Sequence, residues 1–141
     1  MDDVITKNFT KIRPLIITHK RISGSGIGSV RRANKCFEEY TYRFGRAFEQ
    51  GYGLELAERC IKDREPAVRC TGAYYLLPYQ PLRAKMILRS AVLKGWFRHS
   101  YESFSAEMTL REWKKKRLKF PRLINGEITY INIDRIKGES L

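Results

Sequence analysis

The stretch Gly24-Ser25-Gly26-Ile27-Gly28 is the first place in the chain where backbone amides could cradle a phosphate. Its spacing is GxGxG rather than GxGxxG, and no Lys followed by Ser or Thr completes a phosphate loop. No acid closes a second strand about twenty positions on, where a dinucleotide fold would place one for the ribose. What survives is a glycine loop before a helix N-terminus, read either as an anion cradle or as a linker. His19 and His99 stand too far apart for metal-ligand spacing. Cys36, Cys60 and Cys70 form no CxxC pair and are odd in number, so neither a zinc site nor a disulfide framework is expected. Each cysteine falls in a helical pattern, where a thiol behaves as a small hydrophobe. A Cys–His pair assembled only by folding is the one nucleophilic arrangement the spacing leaves open. Glu38 and Glu39 are adjacent and project in different directions from a helix, so they do not form an acid–base pair. No catalytic set, metal site or cofactor site is therefore expected.

Cationic residues carry the remaining chemistry. The chain has 28 Lys and Arg against 15 Asp and Glu, a net charge of +13, and a pI of about 9.9. Such a field favours polyanions or acidic proteins as partners. Lys114-Lys115-Lys116-Arg117, with Lys119 and Arg122 close by, sit at a helix C-terminus. There the macrodipole favours each cation by roughly 0.3–1 kcal/mol, which accounts for part of the run. Arg31 and Arg32 fall in a helix's first turn, where positive charge is mildly unfavourable. A partner anion explains them, and so does a helix that starts elsewhere. Together with Lys35, these nine residues form the candidate partner-binding set. Aromatics are numerous (Tyr40, Tyr42, Tyr52, Tyr74, Tyr75, Tyr79, Trp96, Phe97 and Tyr101 among them) and suit either an interface or base stacking.

The elements that must position these residues are mostly helical. Residues 3–22 repeat apolar side chains near every 3.6 positions (Val4, Ile5, Phe9, Ile12, Ile16, Ile17), and Pro14 predicts a kink or two shorter helices. Residues 23–29 read as a flexible Gly/Ser loop whose Ser29 can cap the next helix. Val30, Ala33, Phe37, Tyr40, Phe44 and Phe48 then make one apolar stripe, ended at Gly51. Four shorter helices follow. The first carries Leu54, Leu56, Ala57 and Ile61, and the second runs from Pro66 to Leu77. The third, from about Pro81 to Lys94, turns Leu82, Ile87, Leu88 and Val92 inward. The fourth spans roughly 100–117 and uses Phe104, Met108, Leu110 and Trp113. Beyond it, β-branched residues flank Asn125-Gly126, a strong hairpin signal, and residues 137–141 read as a frayed end. The expected fold is all-α, an antiparallel stack of about six helices over residues 1–121. A short C-terminal β-hairpin and tail, residues 122–141, should pack on the same domain. Phe37, Phe44, Val68, Leu76, Ile87, Met108 and Trp113 are expected in the core. The N-terminus lacks the apolar stretch of a signal peptide, and no apolar run reaches the ~20 residues of a membrane span, which predicts a cytoplasmic protein without membrane association.

Two segments carry a resemblance. Lys62-Asp63-Arg64-Glu65-Pro66-Ala67-Val68-Arg69, continuing to Leu77, looks like the junction of a HEAT-type repeat. Phe104-Ser105-Ala106-Glu107-Met108-Thr109-Leu110-Arg111-Glu112-Trp113-Lys114-Lys115, with Leu118-Lys119-Phe120-Pro121, is similar to the C-terminal signature of a small bacterial HEAT-like family, the domain of unknown function numbered two thousand and nineteen. Arg32-Ala33-Asn34-Lys35 resembles that family's early helix. The resemblance spans about residues 28–121 and departs in the Gly/Ser loop and the appended hairpin. It implies a small helical protein with no assigned reaction. Similar domains serve as immunity proteins that neutralise polymorphic or contact-dependent toxins by binding them. The leading expectation is thus a non-enzymatic immunity factor whose partner is an acidic protein, a cognate toxin domain. The alternative is a nucleic-acid-binding basic module. An enzyme acting on a phosphorylated substrate rests on the glycine loop alone.

Overall fold

The computed structural model describes residues 2–25, 30–95 and 101–139. Helix α1 (Asp2–Ser25) runs unbroken through Pro14. Pro14 is exposed, so the Thr10 carbonyl that loses its donor faces water, while Ile5, Ile12 and Ile16 anchor the opposite face in the core. The expected division into two helices does not occur. Ser23, Gly24 and Ser25 belong to α1 rather than to a loop; Gly26 to Ser29, with the proposed Ser29 cap, lie outside the described residues. Helix α2 (Val30–Glu49) buries Ala33, Tyr40, Phe44 and Ala47 and ends at Gly51, whose φ of +90° is the left-handed stop that glycine supplies.

Short helices α3 (Gly53–Ile61), α4 (Pro66–Leu76), α5 (Pro81–Gly95) and α6 (Tyr101–Lys114) follow. Consecutive helices pack in pairs, α1 on α2, α3 on α4 and α5 on α6. At the α3–α4 junction Pro66 occupies the first turn, and Asp63 organises the turn before it. The Asp63 carboxylate accepts the Glu65 backbone N–H at 2.8 Å and an Arg13 pair at 2.8 and 3.3 Å. Lys20 reaches Glu65 at 2.7 Å, so two ion pairs tie α1 to this junction.

A two-stranded antiparallel hairpin, β1 (Lys119–Ile124) and β2 (Glu127–Asn132), closes the fold. It begins three residues earlier than the expected boundary at 122. Asn125 and Gly126 both have positive φ, +52° and +80°, the type I′ geometry that the Asn-Gly pair favours. The hairpin lies on α2, where Gly45 leaves room for Leu123 and Ile128. A seventh helix, α7 (Ile133–Glu139), was not expected: the segment read as frayed is helical through Glu139. Asn132 caps it by accepting the Arg135 N–H at 3.0 Å, and Ile136 anchors it in the core.

The fold is all-α with a terminal hairpin. Phe44, Val68 and Leu76 are fully buried as expected, and Ile87 and Trp113 pack half-buried against them. Met108 is half-buried, and Phe37 is 37% exposed because it sits at the edge of the α2 stripe, against the His19 and Tyr40 rings. Leu82, read as inward, is exposed, as are Val30 of the α2 stripe and Phe104 of the α6 pattern. Among the described residues no helix is long and apolar enough to cross a membrane.

Candidate partner-binding groove

The basic run at the end of α6 is split by local geometry. Glu112 O accepts the Arg117 N–H at 2.9 Å and Trp113 O accepts the Lys116 N–H at 3.0 Å, which is the Schellman pattern of a helix C-terminus. The residue this motif places in the left-handed region is Lys116, at φ +60°, where glycine is usual. The reversal turns the chain from α6 toward the hairpin, and α7 returns beside it.

The result is an open groove of about 730 Å³ between α5, α6 and α7. Lys85 and Arg89 from α5, Arg111 and Lys114 from α6, Lys116 from its cap and Lys137 from α7 line it. Its floor is apolar, built from Leu110, Trp113 and Ile133, and Asp134 is the single carboxylate among the described residues that line it. Glu107 lies 3.4 Å from Arg111 and partly offsets it.

Placement of the nine candidate residues is uneven. Lys114 and Lys116 line the groove, and Lys115 is exposed beside it. Arg117 turns back onto Glu112 at 3.1 Å. Lys119 is exposed at the start of β1, and its carbonyl accepts the Tyr74 hydroxyl. Arg31, Arg32 and Lys35 are exposed on α2, away from the groove. The description of α2 begins at Val30, directly after the undescribed residues 26–29, so Arg31 and Arg32 are its second and third described residues.

Arg122 corrects the expectation most clearly. It is 7% exposed, with its guanidinium 3.9 Å above the Phe48 ring; it donates to Pro121 O and to the Tyr79 hydroxyl, both at 2.9 Å. Its planar cation is a packing element under the hairpin, stabilised by the ring face rather than by a carboxylate. Lys85, Arg89, Arg111 and Lys137 were missed because no run marks them. They come from three helices that only the fold brings together.

A second concavity, of about 210 Å³, lies where α1, α2, α4 and α6 meet the hairpin. It brings His19 and Cys70 to one crevice, as a folding-assembled pair would require. Burial lowers the His19 pKa, so the ring is neutral at pH 7, held against Phe37 and Tyr40 at 5.6 and 5.9 Å. Two of the crevice's hydroxyls serve local structure: Thr71 donates to Ala67 O and Thr109 to Ser105 O, each at 2.9 Å. Burial raises the Tyr74 phenol far above its usual range, so it stays protonated and donates. Cys60 is fully buried and its thiol is likewise pushed up, which fits a core hydrophobe. His99, Trp96 and Phe97 lie outside the described residues, as does most of the glycine loop. Among the described residues no three His, Cys, Asp or Glu side chains cluster as a metal site would need. No protein-family model, curated protein or solved structure matches the chain.

Proposed function

We propose that the protein acts by binding an acidic protein through the α5–α6–α7 groove, and that this partner is a toxin domain which binding neutralises. The observation that carries the reading is the convergence, among the described residues, of six cations and one carboxylate on an apolar floor. Cations at a rim accelerate encounter with an acidic surface, while buried aromatic and aliphatic contacts set the lifetime of the complex. Trp113 and Leu110 supply such contacts. A phosphate backbone gains nothing from the aliphatic part of that floor, Leu110 and Ile133. That weighs against nucleic acid, the other polyanion that a +13 chain attracts. The toxin identity rests on the resemblance over residues 28–121 to a small HEAT-like family of no assigned reaction, since similar domains serve as immunity proteins, and no chemistry by the protein itself is required.

The test pairs the protein with the product of the gene immediately upstream of its own. Co-expression should protect growth, and the purified pair should associate. Lys85→Glu, Lys114→Glu and Lys137→Glu combined should slow association about tenfold or more and abolish protection, with the fold intact by circular dichroism. Tight duplex DNA binding at about 0.15 M salt, lost in the same variant, would instead establish the nucleic-acid reading.

A further inference from the structure

Helix α5 has two apolar faces. Ala84 and Leu88 are buried, with Ile87, Ala91 and Val92 packed against the core. On the other side Leu82, Met86 and Leu93 are 78%, 71% and 65% exposed. With Arg89 they recur at i, i+4, i+7 and i+11, so they form one straight row of about three turns. Three large apolar side chains aligned on a helix otherwise designed for water mark an interaction surface rather than scattered exposure. The row is continuous with the groove, because Arg89 belongs to both and Lys85 stands beside Met86 at the groove wall.

We infer that this row seats an acidic amphipathic α-helix of the partner protein, laid along α5 with its acids toward Lys85 and Arg89. The inference rests on the reading of the groove as a partner site and specifies what enters it. A helix fits because a row of side chains with helical repeat interdigitates with another such row. Acids fit because the cations adjoining the row belong to α5 itself and to the groove. Met86, unbranched and polarizable, adapts to the facing side chains. A second copy of this chain is a poor occupant, since it would bring Lys85 and Arg89 against their own equivalents on a molecule already at +13.

Three probes of about 18 residues, long enough to hold a helix, test this. One is an acidic peptide with Leu at i, i+4, i+7 and i+11 and Glu at the flanking positions. The second has the same composition in scrambled order, and the third is poly-glutamate. The amphipathic peptide should bind about tenfold or more tighter than either control, in helical form by circular dichroism. Leu82→Ser, Met86→Ser and Leu93→Ser combined should erase that preference and leave the weak poly-glutamate binding unchanged, with only the small drop in thermal midpoint that serine's lower helix propensity brings, because none of the three is buried. Equal binding of all three peptides overturns the inference while leaving an acidic-partner groove standing. Preference for a single-stranded oligonucleotide over every peptide overturns both. Concentration-dependent dimers of the full chain, abolished by the serine variant, would make a second copy the occupant and overturn it also.

Discussion

Lys116 holds a backbone conformation that an L side chain adopts at a cost of roughly 1–2 kcal/mol, in a cap where glycine is the ordinary choice. Strain of this kind persists where the residue serves something other than stability, and Lys116 lines the basic groove. Lys116→Gly should therefore raise stability by about 0.5–1 kcal/mol in chemical unfolding, after allowing for glycine's freedom in the unfolded chain. The same substitution should slow partner association. A variant that is less stable, or one that binds unchanged, would show the lysine to be incidental. The run from Lys114 to Arg122 reads as one cluster in the sequence, yet neighbouring positions meet opposite fates. Lys116 faces the groove, Arg117 bonds Glu112 and Arg122 is buried under Phe48. Charge alone cannot sort them, because the sorting is done by a left-handed cap and by the pleat of β1.

At the scale of elements, helices α1 to α6 and the hairpin were legible because their signals are local, whereas α7 was not. Pro66 and Asp63 start α4, Gly51 stops α2, and Asn125-Gly126 turns the hairpin. Helix α4 packs closely on α3, where Gly72 and Ala73 keep the facing surface small. A Cβ at Gly72 would stand 2.7 Å from Ala57 O and from Cys60 Cβ, so the two backbones leave it no space. Gly72→Ala should cost about 1–3 kcal/mol by overpacking, despite alanine's better helix propensity. A neutral or stabilising result in thermal unfolding would show that the pair can separate freely. Faces were less legible than elements. Helix α5 presents apolar residues on both sides, and periodicity cannot say which side meets the core, so Leu82 was read inward. Pro14 predicts a kink or two shorter helices, and the second alternative fails because its missing hydrogen bond lies on the solvent side, which sequence does not reveal.

For the whole molecule, the candidate groove could not be read from the sequence because its cations come from helices joined only by tertiary packing. The net charge could, and it governs how the fold meets acid. Burial lowers the His19 pKa below 6.5, so the unfolded chain takes up that proton first. Stability from this group is whole above 6.5 and falls as pH drops until the folded ring also protonates. Asp63 behaves independently, at lower pH. Burial alone would push its carboxyl up. The Arg13 hydrogen bond, the Glu65 N–H and the Arg13 charge outweigh burial, and the net pKa is below 3.8. Its contribution is present above 3.8 and is lost as pH falls through the folded value. As the acids neutralise, the 28 Lys and Arg are left without counter-charge, and self-repulsion steepens the loss. Urea midpoints measured from pH 8 to 2 should thus descend in two stages. His19→Phe, which keeps a ring against Phe37 and Tyr40, should remove the first stage. Asp63→Asn should lower the whole curve and flatten the second, because α1 loses one of its two ion pairs with the α3–α4 junction. A single descent below pH 4, identical in the wild type and in His19→Phe, would mean that His19 titrates alike in the folded and unfolded chains.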